Sequence, residues 1–258
     1  MVHRLLIRRL SRQSHHQRKE VIRTMTIVPI KGVVSSDDDA EVYHFFGYST
    51  VTPSDVEQAL ADAGGQPVTF EINSPGGEVA AGSEISAAIQ KYSGRTTSDV
   101  VGNAASAASL IALSADKVEM APVAQLMIHR ASSGVDGNVD ALNSAAQALD
   151  SIDQALVDVY STKTGMSPED VYHLMVKETW INAKQAVEMG FADDIIDKSQ
   201  APVVTNAMLP LSGEVIQRVK TLMVKAAAPK QKDPEVNNEN ASQQGINPKL
   251  AILLGLKP

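Results

Sequence analysis

The sequence predicts an α/β fold, and three observations support this prediction. β-branched runs typical of strands alternate with segments whose apolar residues recur every three or four positions, as in amphipathic helices. Glycine, proline and small capping residues stand at the junctions between them. The 258 residues are 43% hydrophobic and 21% charged, which is ordinary for a globular chain with one core. Such alternation favours repeated strand–helix units joined by right-handed crossovers.

The first 24 residues differ from the rest of the chain. They contain a single acid and seven basic residues: Arg4, Arg8, Arg9, Arg12, Arg18, Lys19 and Arg23. The arginines interrupt the apolar run too early for a secretory signal. We therefore expect residues 1–24 to be a disordered basic leader, or to precede a true start at Met25. A nucleic-acid arm and a removable pro-segment are the alternatives.

In the first half of the chain, Thr26–Val34 predicts a strand and the aspartates at 37–39 predict an exposed loop. The stretch Thr52-Pro53-Ser54-Asp55 predicts a helix start, because a cap residue, a first-turn proline and an acid all favour a helix N-terminus. Glycines at 64 and 65 predict its end. A strand, a turn, a helix and a strand are then expected at residues 67–73, 74–77, 78–92 and 96–101.

The second half begins with two short predicted strands, Lys117–Met120 and Gln125–His129. A long helix is predicted over 139–162, where Leu142, Ala146, Leu149, Ile152, Leu156 and Val159 recur at helical spacing. Shorter helices are expected to start at Ser167 and Asn182, the second ending at Gly190 before a strand over 191–196. We expect residues 199–258 to be a linker and tail, because 226–247 are rich in Pro, Lys, Asn and Gln. Residues 247–258 are apolar enough to dock on a surface.

Composition excludes several function classes. The chain has no cysteine, so thiolate catalysis and cysteine metal sites are excluded. A net charge of −7 argues against a nucleic-acid partner. No apolar run approaches the roughly 18 residues of a membrane span, so no membrane partner is expected. The chain also lacks the glycine-rich loop of ATP-hydrolysing P-loop enzymes.

Three stretches carry residues suited to acyl-transfer chemistry. Gly102–Ser109 follows a predicted strand, and a serine at a strand-to-helix turn lies beside unpaired backbone amides that stabilise negative charge. The turn at 73–77 can offer further amides, and His129 ends an apolar strand where it can act as a general base. The alternatives are tight helix packing, simple chain reversal and a hydrogen-bonded core histidine, respectively.

Together these stretches resemble the Clp protease proteolytic-subunit (ClpP) family, serine peptidases of the ClpP/crotonase fold. The matching motifs are NSPGG at 73–77, GNAAS at 102–106, MIH at 127–129 and the segment from Glu178 through INAKQAVEMGFAD. The resemblance covers residues 25–197, and the peptidase domain is therefore expected at residues 25–198. The resemblance also implies that the helix over 139–162 is a protruding handle used in ring assembly.

The resemblance implies a role for five residues. Ser106 is expected to be the nucleophile and His129 the base, with the amides of Gly77 and Ala107 forming the oxyanion hole. Glu178 stands where the family usually carries aspartate as the third triad member. A glutamate can orient the imidazole if the backbone accommodates its extra methylene. Another carboxylate, or a serine–histidine dyad, is the alternative.

The implied function is a serine endopeptidase that forms an acyl-enzyme, needs no metal or organic cofactor and acts on protein or peptide substrates within a homo-oligomeric ring. The acidic loop, Phe45–Ser49 and the C-terminal tail resemble the phage head-maturation branch, which implies capsid or scaffold partners, a cytoplasmic location and no obligatory ATPase. Two rivals remain. One is a crotonase-type enzyme acting on acyl-CoA thioesters, and the other is an inactive ring-forming assembly protein.

Overall fold

The computed structural model describes residues 26–196 and 211–227. These ranges contain eight strands: β1 (Thr26–Val34), β2 (Thr50–Val51), β3 (Val68–Gly77), β4 (Thr96–Ala105), β5 (Lys117–Met120), β6 (Gln125–Ile128), β7 (Thr179–Asn182) and β8 (Asp194–Ile195). They also contain eight helices: α1 (Asp37–Phe45), α2 (Pro53–Ala63), α3 (Val79–Lys91), α4 (Ala107–Ala112), α5 (Val139–Thr164), α6 (Pro168–Val176), α7 (Ala183–Glu188) and α8 (Gly213–Ala227).

The strands form one sheet in the order β2-β1-β3-β4-β5-β8. Strand β6 branches from β4 and carries β7 on its other edge. Every pairing is parallel except that of β6 with β7, which is antiparallel. The expected α/β fold of repeated strand–helix units is therefore confirmed. Because neighbouring parallel strands end at the same edge, the carboxyl ends of β3, β4 and β6 lie side by side.

The core lies between the central strands and the helices that follow them. Phe70 and Ile72 of β3, together with Ile85 of α3 and Ile111 of α4, are fully buried. Each such side chain stabilises the fold by about 1.5–3 kcal/mol relative to exposure. The helix α2 begins and ends as the sequence predicts, with Thr52 in a capping box and Gly64 in the left-handed conformation at its C-cap.

One predicted loop is a helix. The aspartates at 37–39 form the first turn of α1, where three carboxylates face the positive end of the helix and stabilise it. The helix also buries Val42 and Tyr43. The loop prediction was wrong because a run of aspartates favours the first turn of a helix as well as an exposed loop, and this helix buries one side of its surface.

The two strands that lead into the predicted site are longer than expected. Strand β3 continues through the predicted turn to Gly77, which pairs with Val34, and β4 continues to Ala105, which pairs with Met127. Both extensions have small residues whose backbones lie close to their neighbours. Backbone pairing with the neighbouring strands keeps these two segments extended, although their residue types by themselves favour turns.

A second, smaller apolar cluster joins α1 to α8. Ile216 and Val219 of α8 are buried with Val42 and Tyr43, and the Tyr43 hydroxyl donates to the carbonyl of Leu211 at 3.3 Å. Lys220 and Asp39 form an ion pair between the two helices. Helix α8 lies within residues 199–258, whose composition predicts a linker and tail and gives no sign of this helix. The leader at 1–24 and the remainder of that tail, including 228–258, lie outside the described residues.

None of the helices in the described part of the chain is long and apolar enough to cross a membrane.

Candidate active site

Ser106 lies at the junction of β4 and α4, with a backbone that serine rarely adopts. Its φ of 55° and ψ of −123° put it outside the regions ordinarily open to a residue with a Cβ. The amide of Ser106 donates to the carbonyl of Met127 at 2.9 Å, so the neighbouring strand β6 holds the turn in place. The side chain remains partly exposed. A strained, partly exposed serine held by its surroundings is typical of a functional position.

The glycines that end β3 lie against this serine. Gly76 has φ +86°, and a Cβ there would collide with the carbonyl oxygen of Ala105 and come within 2.9 Å of the amide nitrogen of Ala107. A Cβ on Gly77 would likewise collide with the carbonyl oxygen of Val34. Only glycine fits at either position, and the close approach brings the NSPGG segment beside Ser106 and Ala107.

His129 is the first residue beyond β6, and its imidazole reaches Ser106. The Nε2 atom of His129 lies 2.7 Å from the Oγ atom of Ser106, within hydrogen-bond range for a general base and its nucleophile. Strand β6 pairs with β4 up to Met127 and Ala105, one residue before Ser106 and two before His129. The parallel pairing therefore brings the two side chains together at the same edge of the sheet.

Glu178 lies beside His129 but does not contact it. Strand β7 runs antiparallel to β6, and the pair Ile128–Thr179 ends their register. His129 follows Ile128 and Glu178 precedes Thr179, so both residues lie directly beyond this last pair. Its backbone has φ 48° and its side chain is exposed. Within the described residues, the Glu178 carboxylate forms no hydrogen bond and the Nδ1 atom of His129 has no partner. The role of Glu178 therefore stays a prediction.

Two other carboxylates near the end of the domain have partners of their own. Asp193 accepts a hydrogen bond from the amide of Val118 at 2.7 Å and pairs with Lys163 at 3.2 Å. Asp194 accepts from the amide of Ile195 at 2.8 Å. Asp194 lies on β8, which pairs with β5, and Asp193 is bound to Val118 of β5, whereas β7 pairs with β6 and brings Glu178 to the end of the strand that precedes His129.

The structure also buries polar residues around the site that sequence reasoning missed. Ser109 is fully buried, donates to the carbonyl of Ser106 at 2.7 Å and contacts the hydroxyl of Tyr160 at 2.8 Å. Asp153 on α5 accepts from Arg130 and Ala131, which follow His129. The only sequence signal was the spacing of Asp153, Val157 and Tyr160 at i, i+4 and i+7 of a predicted helix.

The geometry is suited to nucleophilic catalysis at a carbonyl group. A neutral His129 can accept the hydroxyl proton of Ser106 through Nε2, which activates the oxygen as a nucleophile. Within residues 26–196 and 211–227, no group of three or more His, Asp and Glu side chains is arranged to hold a metal ion.

Comparison with known proteins gives matches over this same region. The Clp protease family model matches residues 58–199, a range that contains Gly77, Ser106, Ala107, His129 and Glu178. The ATP-dependent Clp protease proteolytic subunit 1 of Chlamydia muridarum is 35% identical over 136 residues, which cover 51% of this chain and 71% of that protein. The proteins of the same name from Chlamydia trachomatis and Chlamydia caviae are 35% and 33% identical over 136 residues, with the same coverage.

Proposed function

The chain belongs to the Clp protease family, and from that premise we propose that it is a serine endopeptidase with Ser106 as nucleophile and His129 as general base. The observation that carries the proposal is the 2.7 Å contact between His129 Nε2 and Ser106 Oγ at a backbone turn with positive φ. We place the catalytic domain at residues 25–198.

In the proposed mechanism the Ser106 oxygen attacks the scissile carbonyl while His129 takes its proton. The tetrahedral intermediate collapses to an acyl-enzyme as His129 gives the proton to the leaving amine. Water then attacks the ester with His129 again as base, and the free Ser106 is restored. Neither step uses a metal or an organic cofactor.

The amides of Gly77 and Ala107 are proposed to bind the oxyanion. Support comes from the contact of Gly76 with Ser106 and Ala107, which brings the end of β3 next to the nucleophile. Ala107 is the first residue of α4, so its amide has no partner within that helix. Amides already oriented toward the developing charge cost no reorganisation during the reaction, and one such donor contributes about 2.7–4 kcal/mol.

Glu178 is proposed as the third triad member. Its position supports this role, because Glu178 and His129 both lie directly beyond the last pair of the β6–β7 register. A second support is that Ser106 and Glu178 are the two non-glycine residues with positive φ in the described part of the chain. The Glu178 side chain is exposed and makes no ion pair in the described part of the chain, so no other contact holds it away from His129.

Labelling with a fluorophosphonate followed by peptide mapping tests the proposal. We expect covalent modification at Ser106, and Ser106→Ala should abolish both labelling and peptide cleavage, with a loss of about 10⁴-fold or more in kcat. Labelling at Ser109, or none, would contradict the assignment. A crotonase-type enzyme acting on acyl-CoA needs no such serine, and an inactive assembly protein would show no cleavage that Ser106→Ala removes.

A finer part of the proposal concerns the branch of the family. We propose a head-maturation protease that cleaves capsid or scaffold proteins in the cytoplasm of an infected cell without a required ATPase. Support comes from the resemblance of the acidic segment, Phe45–Ser49 and the C-terminal tail to that branch. The helices α1 and α8, which pack on each other, lie outside the matched range 58–199. Cleavage of a purified scaffold protein at equal rates with and without ATP and an added unfoldase is the expected result, and strict dependence on ATP would contradict it.

A further inference from the structure

We propose that Asp153 is a positioning residue for the catalytic base, and that helix α5 holds base and nucleophile in place through one buried face. This inference rests on the proposed roles of Ser106 and His129. Three residues of α5 are buried, namely Asp153, Val157 and Tyr160, and two of them carry polar groups directed at the site.

Asp153 is 2% exposed and is the one charged residue buried within the described ranges. Both of its oxygens are occupied. Oδ2 accepts from Nε of Arg130 at 2.6 Å, and Oδ1 accepts from the amide of Ala131 at 2.7 Å. The guanidinium of Arg130 also reaches Asp150 at 2.8 Å and lies 5.5 Å from the ring centre of Tyr172.

These contacts hold the backbone directly after His129, where pairing with neighbouring strands has ended. Strand β6 ends at Ile128, so His129 is the first residue past its ladder. The two residues that follow His129 are the two that Asp153 binds. The hydrogen bond to Ser106 and the anchored backbone on either side hold the imidazole of His129, in addition to the orienting contact proposed for Glu178.

The same face of α5 reaches the nucleophile two turns later. Tyr160 contacts Ser109 at 2.8 Å, and Ser109 donates to the carbonyl of Ser106 at 2.7 Å. Burial raises the pKa of Tyr160 to about 12, so its hydroxyl keeps its proton. Asp153 and Tyr160 lie on one rigid helix, which rises about 1.5 Å per residue. The helix therefore sets the distance between the contacts that these two side chains make. Helix α5 therefore fixes the base relative to the nucleophile.

A purely structural role for Asp153 predicts a different result from a positioning role. A buried ion pair is weak evidence for stability by itself. If Asp153 acts only on stability, its replacement lowers the folded fraction but leaves the reactivity of folded molecules unchanged. If it positions His129, folded molecules react more slowly.

The test compares Asp153→Asn with Asp150→Asn, and the probe is a fluorophosphonate. Three quantities are measured for each protein: the labelling stoichiometry, the maximal labelling rate and the half-saturating concentration of the probe. Asp150 binds the same arginine from the same helix but is exposed, so it is a matched control. In Asp153→Asn, the new amide side chain retains an oxygen that can accept from Ala131 but presents no charge to Arg130.

We expect Asp153→Asn to label to full stoichiometry with a maximal rate about 10- to 100-fold lower and an unchanged half-saturating concentration. Asp150→Asn should stay within twofold of wild type. Equal rates for wild type and Asp153→Asn would overturn the inference and leave the proposed function intact. Absence of labelling in wild type would overturn the proposed function and this inference with it.

If Asp153→Asn melts below the assay temperature, Arg130→Lys gives the same comparison. Lysine keeps a cation for Asp153 but lacks the planar guanidinium donor. A folded Arg130→Lys protein that labels at the wild-type rate would also overturn the inference.

Discussion

At the scale of single residues, positive φ marks the two ends of the proposed triad. Ser106 has φ 55° and Glu178 has φ 48°, and each such conformation costs of order 1–3 kcal/mol. Neither is a glycine, so the surroundings must hold them there. Ser106 is held by the β4–β6 pairing, and Glu178 by the turn between α6 and β7, where its amide donates to Met175 at 3.1 Å. Each turn brings its residue to the edge of β6 where His129 lies.

The first residue-scale prediction concerns Glu178. Glu178→Gln keeps the shape but removes the charge that stabilises imidazolium, so kcat should fall by as much as ~10⁴. Glu178→Asp should retain part of the activity. The three proteins are assayed on one peptide at one pH, with Glu188→Gln as a control for a neutralised exposed glutamate. Activity of Glu178→Gln within a few-fold of wild type would assign the orienting role elsewhere.

The second concerns Ser109, whose hydroxyl joins Tyr160 to the Ser106 carbonyl. Ser109→Ala should leave a buried hydroxyl without its partner and lower the free energy of unfolding by about 1–3 kcal/mol, with far less loss of activity than Ser106→Ala. The double variant Ser109→Ala/Tyr160→Phe removes both groups and should cost less than the sum of the single changes. Urea unfolding of wild type, the two single variants and the double variant measures this coupling, and strict additivity would count against the contact.

At the scale of elements, a row of carboxylates crosses three adjacent strands. Asp99 of β4 pairs in register with Glu71 of β3 and Glu119 of β5. Burial, followed by the charges of Glu119 and Glu71, raises the pKa of Asp99 to about 6. Lys31 and Lys117 form ion pairs with the two flanking glutamates, and the charge of Lys117 partly offsets the rise in the pKa of Asp99.

This row predicts a pH dependence of stability. Folded Asp99 binds its proton more tightly than the unfolded chain does, so its contribution is fully present below the ordinary aspartate pKa and is lost as pH rises toward about 6. Asp99→Asn should remove that loss and make the protein more resistant to urea at about pH 7.5 than wild type, by about 1 kcal/mol after allowance for solvent screening. Glu57→Gln, on the exposed side of α2, is the control. Parallel pH profiles for Asp99→Asn and wild type would contradict the assignment.

At the scale of the whole molecule, α5 offers a surface for assembly. The apolar positions that predicted this helix include Leu142, which is 48% exposed, while the buried positions are those of Asp153, Val157 and Tyr160. The apolar stripe is therefore only partly covered within one chain. Exposed apolar surface on an ordered helix is typical of an interface, and we expect the chain to form a closed homo-oligomer through it.

Light scattering of wild type and two aspartate variants tests the assembly. Val139 on α5 and Val224 on α8 are both 71% exposed, so they carry equivalent changes at different places. Val139→Asp should reduce the measured mass of the particle, because a buried charge at an interface is costly. Val224→Asp should leave the mass unchanged. A fully active wild-type monomer would contradict the proposed ring.

Local sequence determined much of this fold and site. The capping residues Thr52 and Asn182, with glycines at 64 and 165, define helix ends through hydrogen bonds within a few residues, so they are visible in the chain. The motifs around Ser106 and His129 were likewise visible, because a strained turn and a close glycine contact restrict which residues fit. For these features the physical cause is local.

Other features depended on contacts between distant segments, which only the tertiary structure decided. The aspartates at 37–39 form a helix because α8, which comes from the far end of the described chain, covers its apolar face. The buried face of α5 differs from its most apolar stripe because Tyr160 finds a polar partner in α4 and Asp153 finds polar partners just beyond β6. The sequence by itself identified the residues that we propose carry the chemistry. The pairing of β4, β6 and β7 decided how close those residues lie in space, because it joins segments that are far apart along the chain.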